Sequence, residues 1–220
     1  MGGQVTGAST LPDPPAPDAL RSLGIQADET RVIEIHEVWW RVHKTTGQHV
    51  LGWNTFRTYG PLLRFDPHAL PVAEDPQKGV WYGGSTPDVA LGEAFQANRT
   101  IDRELDSPYL TGLSFTRPLT VLDLAADSAG AWVTRVGGTF AISTAAHSVT
   151  QRWARNIVEA FPHLQGLRYN SRFAGGPCLA LYLPALTAMP GRPKLSLPFN
   201  HPDLVTRIAG AAKRLGYSVI

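Results

Sequence analysis

The sequence predicts an α+β fold, in which a mixed β-sheet core is flanked by helices. Segments typical of strands and helices follow one another without the regular βαβ alternation of a doubly wound sheet. The 21 glycines and 18 prolines among 220 residues divide the chain into short elements, which argues against a helical bundle. With 43% hydrophobic and 17% charged residues, the chain can bury a sizeable core, and wholesale disorder, a collagen-like repeat and a long coiled coil are excluded.

The N-terminal residues differ in composition from the rest of the chain. Pro12, Pro14, Pro15 and Pro17 stand among small polar residues, which offer too little apolar surface to offset the entropy lost on ordering. We therefore predict a Pro-rich flexible tail over residues 1–30 and a single domain over residues 31–220.

The first half of the domain is predicted to contain strands around one helix. β-branched and aromatic residues predict strands at the following positions: residues 31–35, 38–43, 79–82, 110–115 and 119–124, the last two joined by a tight turn. Residues 44–78 are rich in turns and show no clear periodicity. Ser85 or Thr86 as the cap, followed by Pro87, predicts a helix that runs to about Asp106.

The second half is predicted to contain two helices and three strands. Trp153, Ile157 and Phe161 recur at four-residue spacing, which predicts an amphipathic helix over residues 150–161 that stops at Pro162. The remaining elements are strands at residues 166–171 and 178–183, a helix that opens at Pro202 and stops at Gly216, and a terminal strand at residues 217–220.

Charge and cysteine content bear on partners and compartment. The first 110 residues hold 9 basic and 14 acidic residues, and the remainder hold 11 and 4. The basic residues of the second half are scattered, so we expect no direct nucleic-acid binding. Cys178 is alone and lies in an apolar run, which excludes an internal disulfide and predicts a buried thiol. Without a signal peptide or a long apolar run, we expect a cytoplasmic protein with no membrane partner.

Several motifs of known chemistry are absent from the sequence. It contains no Gly-x-Gly-x-x-Gly, no phosphate loop, no Gly-x-Ser-x-Gly elbow and no paired cysteines for zinc. The spacing of His36, His43 and His49 matches no ligand pattern. The sequence therefore predicts neither a metal site nor a bound cofactor.

Four residues are candidates for a binding site. Glu93 lies at the edge of the apolar stripe of the predicted helix, as either a surface group or an acid aimed into a pocket. Arg41 and Arg64 are embedded in apolar sequence, and Tyr82 precedes two glycines that allow close approach. Such a set suits an anionic ligand that carries a sugar, because a guanidinium binds phosphate oxygens and an aromatic face binds a flat ring. The alternative is that each arginine pairs with a nearby Asp or Glu, and that Tyr82 is a strand-end aromatic residue.

A set of short motifs in a fixed order resembles the RES family, named for an Arg, a Glu and a Ser. The resemblance covers about residues 35–185 and depends on order and spacing more than on one motif. The motifs are Trp40-Arg-Val-His43, Asn54-Thr-Phe-Arg57, Arg64-Phe-Asp-Pro67, Tyr82-Gly-Gly with Ala90-Leu-Gly-Glu-Ala-Phe95, Leu122-Asp-Leu124, and Gly166-Leu-Arg-Tyr-Asn-Ser171 before Gly175-Gly-Pro. Many members have Gly-Arg-Trp-Asn where this chain has Leu63-Arg-Phe-Asp66.

The resemblance implies a catalytic domain with an ADP-ribosyltransferase-like fold and NAD⁺ as substrate. Characterised members are toxins that deplete NAD⁺ by hydrolysis or phosphorolysis, or modify a protein target, and a small helical Xre-type antitoxin neutralises them. Two functions thus stay open for this chain: cleavage of the nicotinamide–ribose bond, and ADP-ribosylation of a protein. A non-catalytic binding module that uses the basic second half to bind nucleic acid is the third alternative.

The same resemblance assigns roles to five residues. Arg41, Glu93 and Ser171 match the catalytic positions, whereas Arg64 and Tyr82 match substrate-binding positions. The implied roles are pyrophosphate binding for Arg41 and Arg64, stacking on nicotinamide for Tyr82, and positioning of the ribose or the amide for Ser171. Glu93 would stabilise the oxocarbenium-like charge that develops as the bond breaks.

Overall fold

The computed structural model describes residues 11–220, which form five α-helices and twelve β-strands. The helices are α1 (Pro17–Leu23), α2 (Pro87–Ala94), α3 (Trp132–Arg135), α4 (His147–Ala160) and α5 (Pro202–Leu215). The strands are β1 (Thr30–Ile33), β2 (Trp39–Lys44), β3 (Tyr59–Gly60), β4 (Ala73–Glu74), β5 (Val80–Gly84), β6 (Thr100–Ile101), β7 (Pro108–Leu113), β8 (Leu119–Asp123), β9 (Gly166–Asn170), β10 (Pro177–Tyr182), β11 (Leu195–Pro198) and β12 (Ser218–Val219). None of the helices in residues 11–220 is long and apolar enough to cross a membrane.

Eight of the strands form one mixed sheet. Their order is β1-β8-β9-β10-β5-β2-β7-β11. β8 and β9 pair in parallel, and the other neighbours are antiparallel. Two small ladders, β6 with β12 and β3 with β4, lie outside this sheet. The predicted α+β fold with a mixed sheet and flanking helices is confirmed.

The sheet consists of two halves that meet at a single residue pair. β2 follows β7 over six pairs, but it joins β5 only through Trp40 and Gly84. Leu113 of β7 and Leu119 of β8 lie in the same core cluster, although these strands are far apart in the strand order. The sheet therefore folds over itself into a sandwich. The predicted turn at residues 116–118 connects the two halves and does not close a hairpin.

Side-chain alternation divides the core into three layers. On β5, Val80 and Tyr82 face a cluster built with α1, α3 and α4, whereas Trp81 faces the cluster inside the folded sheet. The outer face of β2 and β7 packs against α2 and α5. Helix α2 thus lies beside the line where the two half-sheets meet. It packs closely on Gly84: a Cβ atom added to this glycine would lie only 2.7 Å from the backbone nitrogen of Ala90.

The structure differs from the predicted flexible tail over residues 11–30, and residues 1–10 lie outside the described residues. This segment packs on α3 and α4 with Leu20 fully buried. The indole N–H of Trp153 donates to Pro12 O (2.8 Å), and Arg135 forms an ion pair with the buried Glu29 carboxylate. The proline-rich composition concealed this packing, because tryptophan and arginine side chains far along the sequence bind its backbone carbonyls.

We expect Leu20→Ala to lower the free energy of unfolding by about 2–5 kcal/mol, because it leaves a cavity in a fully packed core. Leu23→Ala on the same helix is the matched control, since Leu23 is 45% exposed and its loss should change stability by about 0.5 kcal/mol or less. Urea denaturation measures both variants. Equal effects would show that α1 is not docked in solution.

Helix α2 ends at Ala94, twelve residues before the predicted end near Asp106. The chain then turns with Arg99 at a φ of 50° and places Thr100 and Ile101 in a parallel ladder with β12. Burial of Ile101 in this ladder overrides the weak helix preference of the Ala97–Thr100 segment. The short helix brings Glu93 into its last turn.

Candidate active site

A cavity of about 220 Å³ opens where β2 and β5 diverge. Its walls come from these two strands, from α2 and the residues just after it, and from the connections between β2 and β3 and between β3 and β4. The first residue of α4 and one residue each of β9 and β10 complete the lining. Four of the five predicted site residues line it: Arg41, Arg64, Tyr82 and Glu93. Ser171 reaches the same place through Glu93. The structure therefore brings together residues that are up to 130 positions apart in the sequence.

Glu93 and Ser171 form a hydrogen-bonded pair. The Ser171 hydroxyl donates to Glu93 Oε1 at 2.6 Å, and its oxygen accepts from the backbone N–H groups of Phe173 (3.2 Å) and Ala174 (3.1 Å). These two donors direct the hydroxyl proton toward Glu93. Burial raises the pKa of the Glu93 carboxyl above 4.5, while the Ser171 bond and the charges of Arg64 and Arg172 oppose this rise.

Arg41 and Arg64 face the cavity without a carboxylate partner. Arg41 donates to Thr55 O (3.1 Å) and lies over the Trp81 ring at 5.6 Å, and Arg64 is buried and donates to Ala145 O. Neither forms a salt bridge within residues 11–220. Burial, with a smaller contribution from the Arg57 charge, lowers the pKa of Arg41 to about 10, so it is charged at neutral pH. The alternative of arginines paired with nearby acids does not describe these two.

Tyr82 belongs to a network that sequence reasoning missed. Its hydroxyl donates to Asp66 Oδ1 (2.8 Å) and accepts from Phe65 N (3.0 Å). Asp66 is fully buried and binds Arg57, whose Nη2 lies 2.8 and 2.7 Å from the two carboxylate oxygens. Burial and the Asp66 charge raise the pKa of Tyr82 well above 10, so the hydroxyl stays protonated. Arg57 and Asp66 each lie inside one of the family motifs quoted above, and this was the only signal in the sequence that pointed to them.

His147 and Cys178 also line the cavity. His147 is the first residue of α4, and burial followed by the charge of Arg64 lowers its pKa below 6.5, so the ring is neutral at pH 7. The Cys178 thiol is buried, as predicted, and burial raises its pKa well above 9. A thiol in this state is a poor nucleophile. No pattern pointed to His147, which lies in a loop-like part of the sequence.

The fold that carries these residues is that of a RES domain. A family model for the RES domain matches residues 38–200, and the chain belongs to the RES family. Among solved structures, the chain is similar to the MbcT toxin in the crystal structure of the M. tuberculosis MbcT–MbcA toxin–antitoxin complex, with 20% identity and a TM-score of 0.55. The match covers 88% of this chain and 96% of that chain. No curated protein sequence matches the chain.

Proposed function

We propose that this protein is an NAD⁺-consuming toxin that cleaves the bond between nicotinamide and ribose. The observation that carries the proposal is that Glu93, held by Ser171, lines the same cavity as Arg41 and Arg64, two cations that have no carboxylate partner among residues 11–220. A carboxylate beside two unpaired guanidiniums suits a ligand with both an anionic group and a centre that becomes positive during the reaction.

The size and lining of the cavity support binding of part of a dinucleotide. Its volume of about 220 Å³ is below the roughly 300–1,000 Å³ of pockets that enclose whole drug-sized ligands. It suits one ring with its sugar, while the rest of the ligand lies at the mouth. The Tyr82 ring in the wall offers a face for the nicotinamide, and Arg41 and Arg64 offer donors for the pyrophosphate.

The proposed reaction breaks the bond between C1′ of the ribose and the ring nitrogen of nicotinamide. The electron pair of this bond moves to the ring nitrogen, so nicotinamide leaves as a neutral molecule and needs no general acid. Positive charge spreads over the sugar ring in an oxocarbenium-like state, which the Glu93 carboxylate stabilises. An acceptor then attacks C1′ and loses its proton. Ser171 holds the carboxylate in place during these steps.

Nicotinamide release tests the proposal. We expect the purified protein, freed of any partner, to convert NAD⁺ to nicotinamide in a chromatographic assay. Turnover in the presence and absence of phosphate distinguishes the two small acceptors, water and phosphate. Labelled NAD⁺ added to lysate detects ADP-ribosylation of a protein as a labelled band. NAD⁺ that stays intact under all three conditions would reject the proposal.

The pH dependence of the activity should report the ionisation of Glu93. Because the pKa of Glu93 is raised above 4.5 and the ionised form is the active one, we expect kcat/KM to rise with pH through an apparent pKa above 4.5. Ser171→Ala should move this pKa further upward, since the Ser171 hydrogen bond lowers it. A pH–rate profile of both proteins measures the shift. An unchanged or lower apparent pKa in Ser171→Ala would contradict the assigned contact.

We also propose that an antitoxin covers the mouth of the cavity. Leu62 and Leu63 are 46% and 37% exposed on the segment that precedes Arg64, and Leu63 lines the cavity itself. MbcT, a structural relative, is a toxin whose crystal structure is that of a toxin–antitoxin complex. Co-expression with the product of the neighbouring reading frame should yield a complex that does not consume NAD⁺. A complex that retains full activity would contradict neutralisation.

A further inference from the structure

We propose that Asp66 is a positioning residue for the cavity: it holds the Tyr82 ring and the Leu62–Arg64 segment in the places from which they bind a nucleotide. The inference deepens the proposed function and rests on it, because it assumes that Arg64 and Tyr82 contact an ADP-ribose-containing ligand. Asp66 itself does not line the cavity.

Asp66 makes hydrogen bonds to three separate parts of the chain. Its carboxylate accepts from Arg57, from the Tyr82 hydroxyl at 2.8 Å, and from the backbone N–H groups of Leu62 (2.5 Å) and Leu63 (2.9 Å). The carboxylate is fully buried, so each of these bonds forms away from water. One side chain thus ties β5, the segment before Arg64 and the Arg57 side chain to a common point.

The partners of Asp66 belong to the wall of the cavity. Arg57, Leu63 and Tyr82 line it, and Arg64 follows Leu63 directly. The two backbone bonds at Leu62 and Leu63 fix the main chain just before Arg64, whose guanidinium then reaches Ala145 O. The Tyr82 hydroxyl is held from two sides, by Asp66 as acceptor and by Phe65 N as donor. Asp66 therefore sets the position of one cation and one aromatic ring.

Arg57 makes this arrangement compatible with an anionic ligand. A buried carboxylate behind the wall would repel phosphate if it were unpaired, but the Arg57 guanidinium binds both of its oxygens at 2.8 and 2.7 Å. The charge of Asp66 is thus offset by Arg57. Arg41 and Arg64 keep their charge for the ligand.

Asp66→Asn tests the inference with little change of shape. The amide replaces one acceptor oxygen by a donor, so it cannot accept all the bonds from Arg57, Tyr82 and the backbone. We expect KM for NAD⁺ to rise and kcat/KM to fall about 10- to 100-fold, with kcat changed much less, because the displaced groups bind the ligand and do not react. Calorimetry with ADP-ribose, which involves no chemistry, should show a similar weakening of Kd.

Tyr82→Phe provides a second variant that tests the same path. It removes the hydroxyl bond to Asp66 and keeps the ring. If Asp66 acts in part through Tyr82, the double variant that carries both Asp66→Asn and Tyr82→Phe should raise the Kd for ADP-ribose by less than the product of the two single fold-changes. Strictly additive effects on the binding free energy would contradict the inference, because it requires Asp66 to hold the Tyr82 ring. If Asp66→Asn does not fold, unchanged ADP-ribose binding by Tyr82→Phe overturns the inference by itself.

Glu29→Gln is the matched control. Glu29 is also a buried carboxylate that accepts from an arginine, Arg135, and from a backbone N–H, that of Gln26, but none of these residues lines the cavity. The Glu29→Gln variant should be less stable than the wild type, but its Kd for ADP-ribose and its KM for NAD⁺ should be unchanged. Equal weakening of binding in Glu29→Gln and Asp66→Asn would reduce Asp66 to a general structural residue and overturn the inference.

The two proposals fail separately in these measurements. Intact NAD⁺ together with ADP-ribose binding that responds to Asp66→Asn would reject the reaction and support the positioning role. NAD⁺ consumption together with wild-type binding by Asp66→Asn would support the reaction and overturn the positioning role. A wild-type chain that neither consumes NAD⁺ nor binds ADP-ribose would overturn both.

Discussion

Glu93→Gln should fold normally and lose NAD⁺ turnover by about 10³-fold in kcat, the effect of removing one group that stabilises a developing charge. The amide keeps the size of the side chain and can still accept the hydrogen bond from Ser171. It does not carry the negative charge that stabilises the oxocarbenium-like state. Single-turnover release of nicotinamide measures the loss on the chemical step itself.

Asp88→Asn is the control for this variant. Asp88 lies on the same helix, in its first turn, and accepts from Arg214 at the surface. Its removal changes the charge of α2 equally, yet turnover should stay near that of the wild type. Retained activity in Glu93→Gln would reject the assigned role of the carboxylate, and lost activity in Asp88→Asn would point to a general effect of charge on this helix.

Replacing Arg41 or Arg64 by Met should lower kcat/KM by about 10²-fold, mainly through KM. Methionine keeps much of the apolar stem, and each change removes one of the two cations that have no carboxylate partner. Charge-assisted hydrogen bonds to phosphate are among the strong ones in proteins, about 1.5–3 kcal/mol each. Steady-state kinetics with NAD⁺ measures the effect, and the activity of the wild-type enzyme should fall as ionic strength rises.

Arg192→Met is the control for these two variants. Arg192 is an exposed arginine in the loop before β11, outside the cavity. The Arg192→Met substitution changes the net charge by the same amount as the other two and should leave KM for NAD⁺ unchanged. A rise in KM in all three variants would mean that overall charge attracts the ligand. No change in Arg41→Met or Arg64→Met would exclude that residue from the binding site.

The fold could be predicted where local patterns were strong. The four-residue spacing around Trp153 predicted α4, and the cap chemistry at Pro202 and the stop at Gly216 predicted α5. The two-residue strands β3, β4 and β6 were not predicted, because pairs this short are formed by tertiary contacts and leave no periodicity in the sequence. The packed N-terminal segment was missed for the same reason, since its partners lie on α3 and α4.

The site could be predicted only in part. Arg41, Arg64, Tyr82 and Glu93 were singled out from the residues around them, and Ser171 from the family motif; their roles stay predictions. Arg57 and Asp66 lie inside two of the family motifs, but their pairing could not be predicted, because both residues lie in a turn-rich stretch without periodicity. Their contact depends on how the chain between β2 and β5 folds back.

Trp40 and Gly84 form the single residue pair through which β2 joins β5 at the active site. Elsewhere neighbouring strands hold one another through ladders of hydrogen bonds, but β2 and β5 share one pair. The cavity therefore opens where the eight-stranded sheet has the fewest backbone pairs between neighbouring strands. Arg41 belongs to one half-sheet and Tyr82 to the other, so each side of the cavity is held mainly by the ladder of its own half.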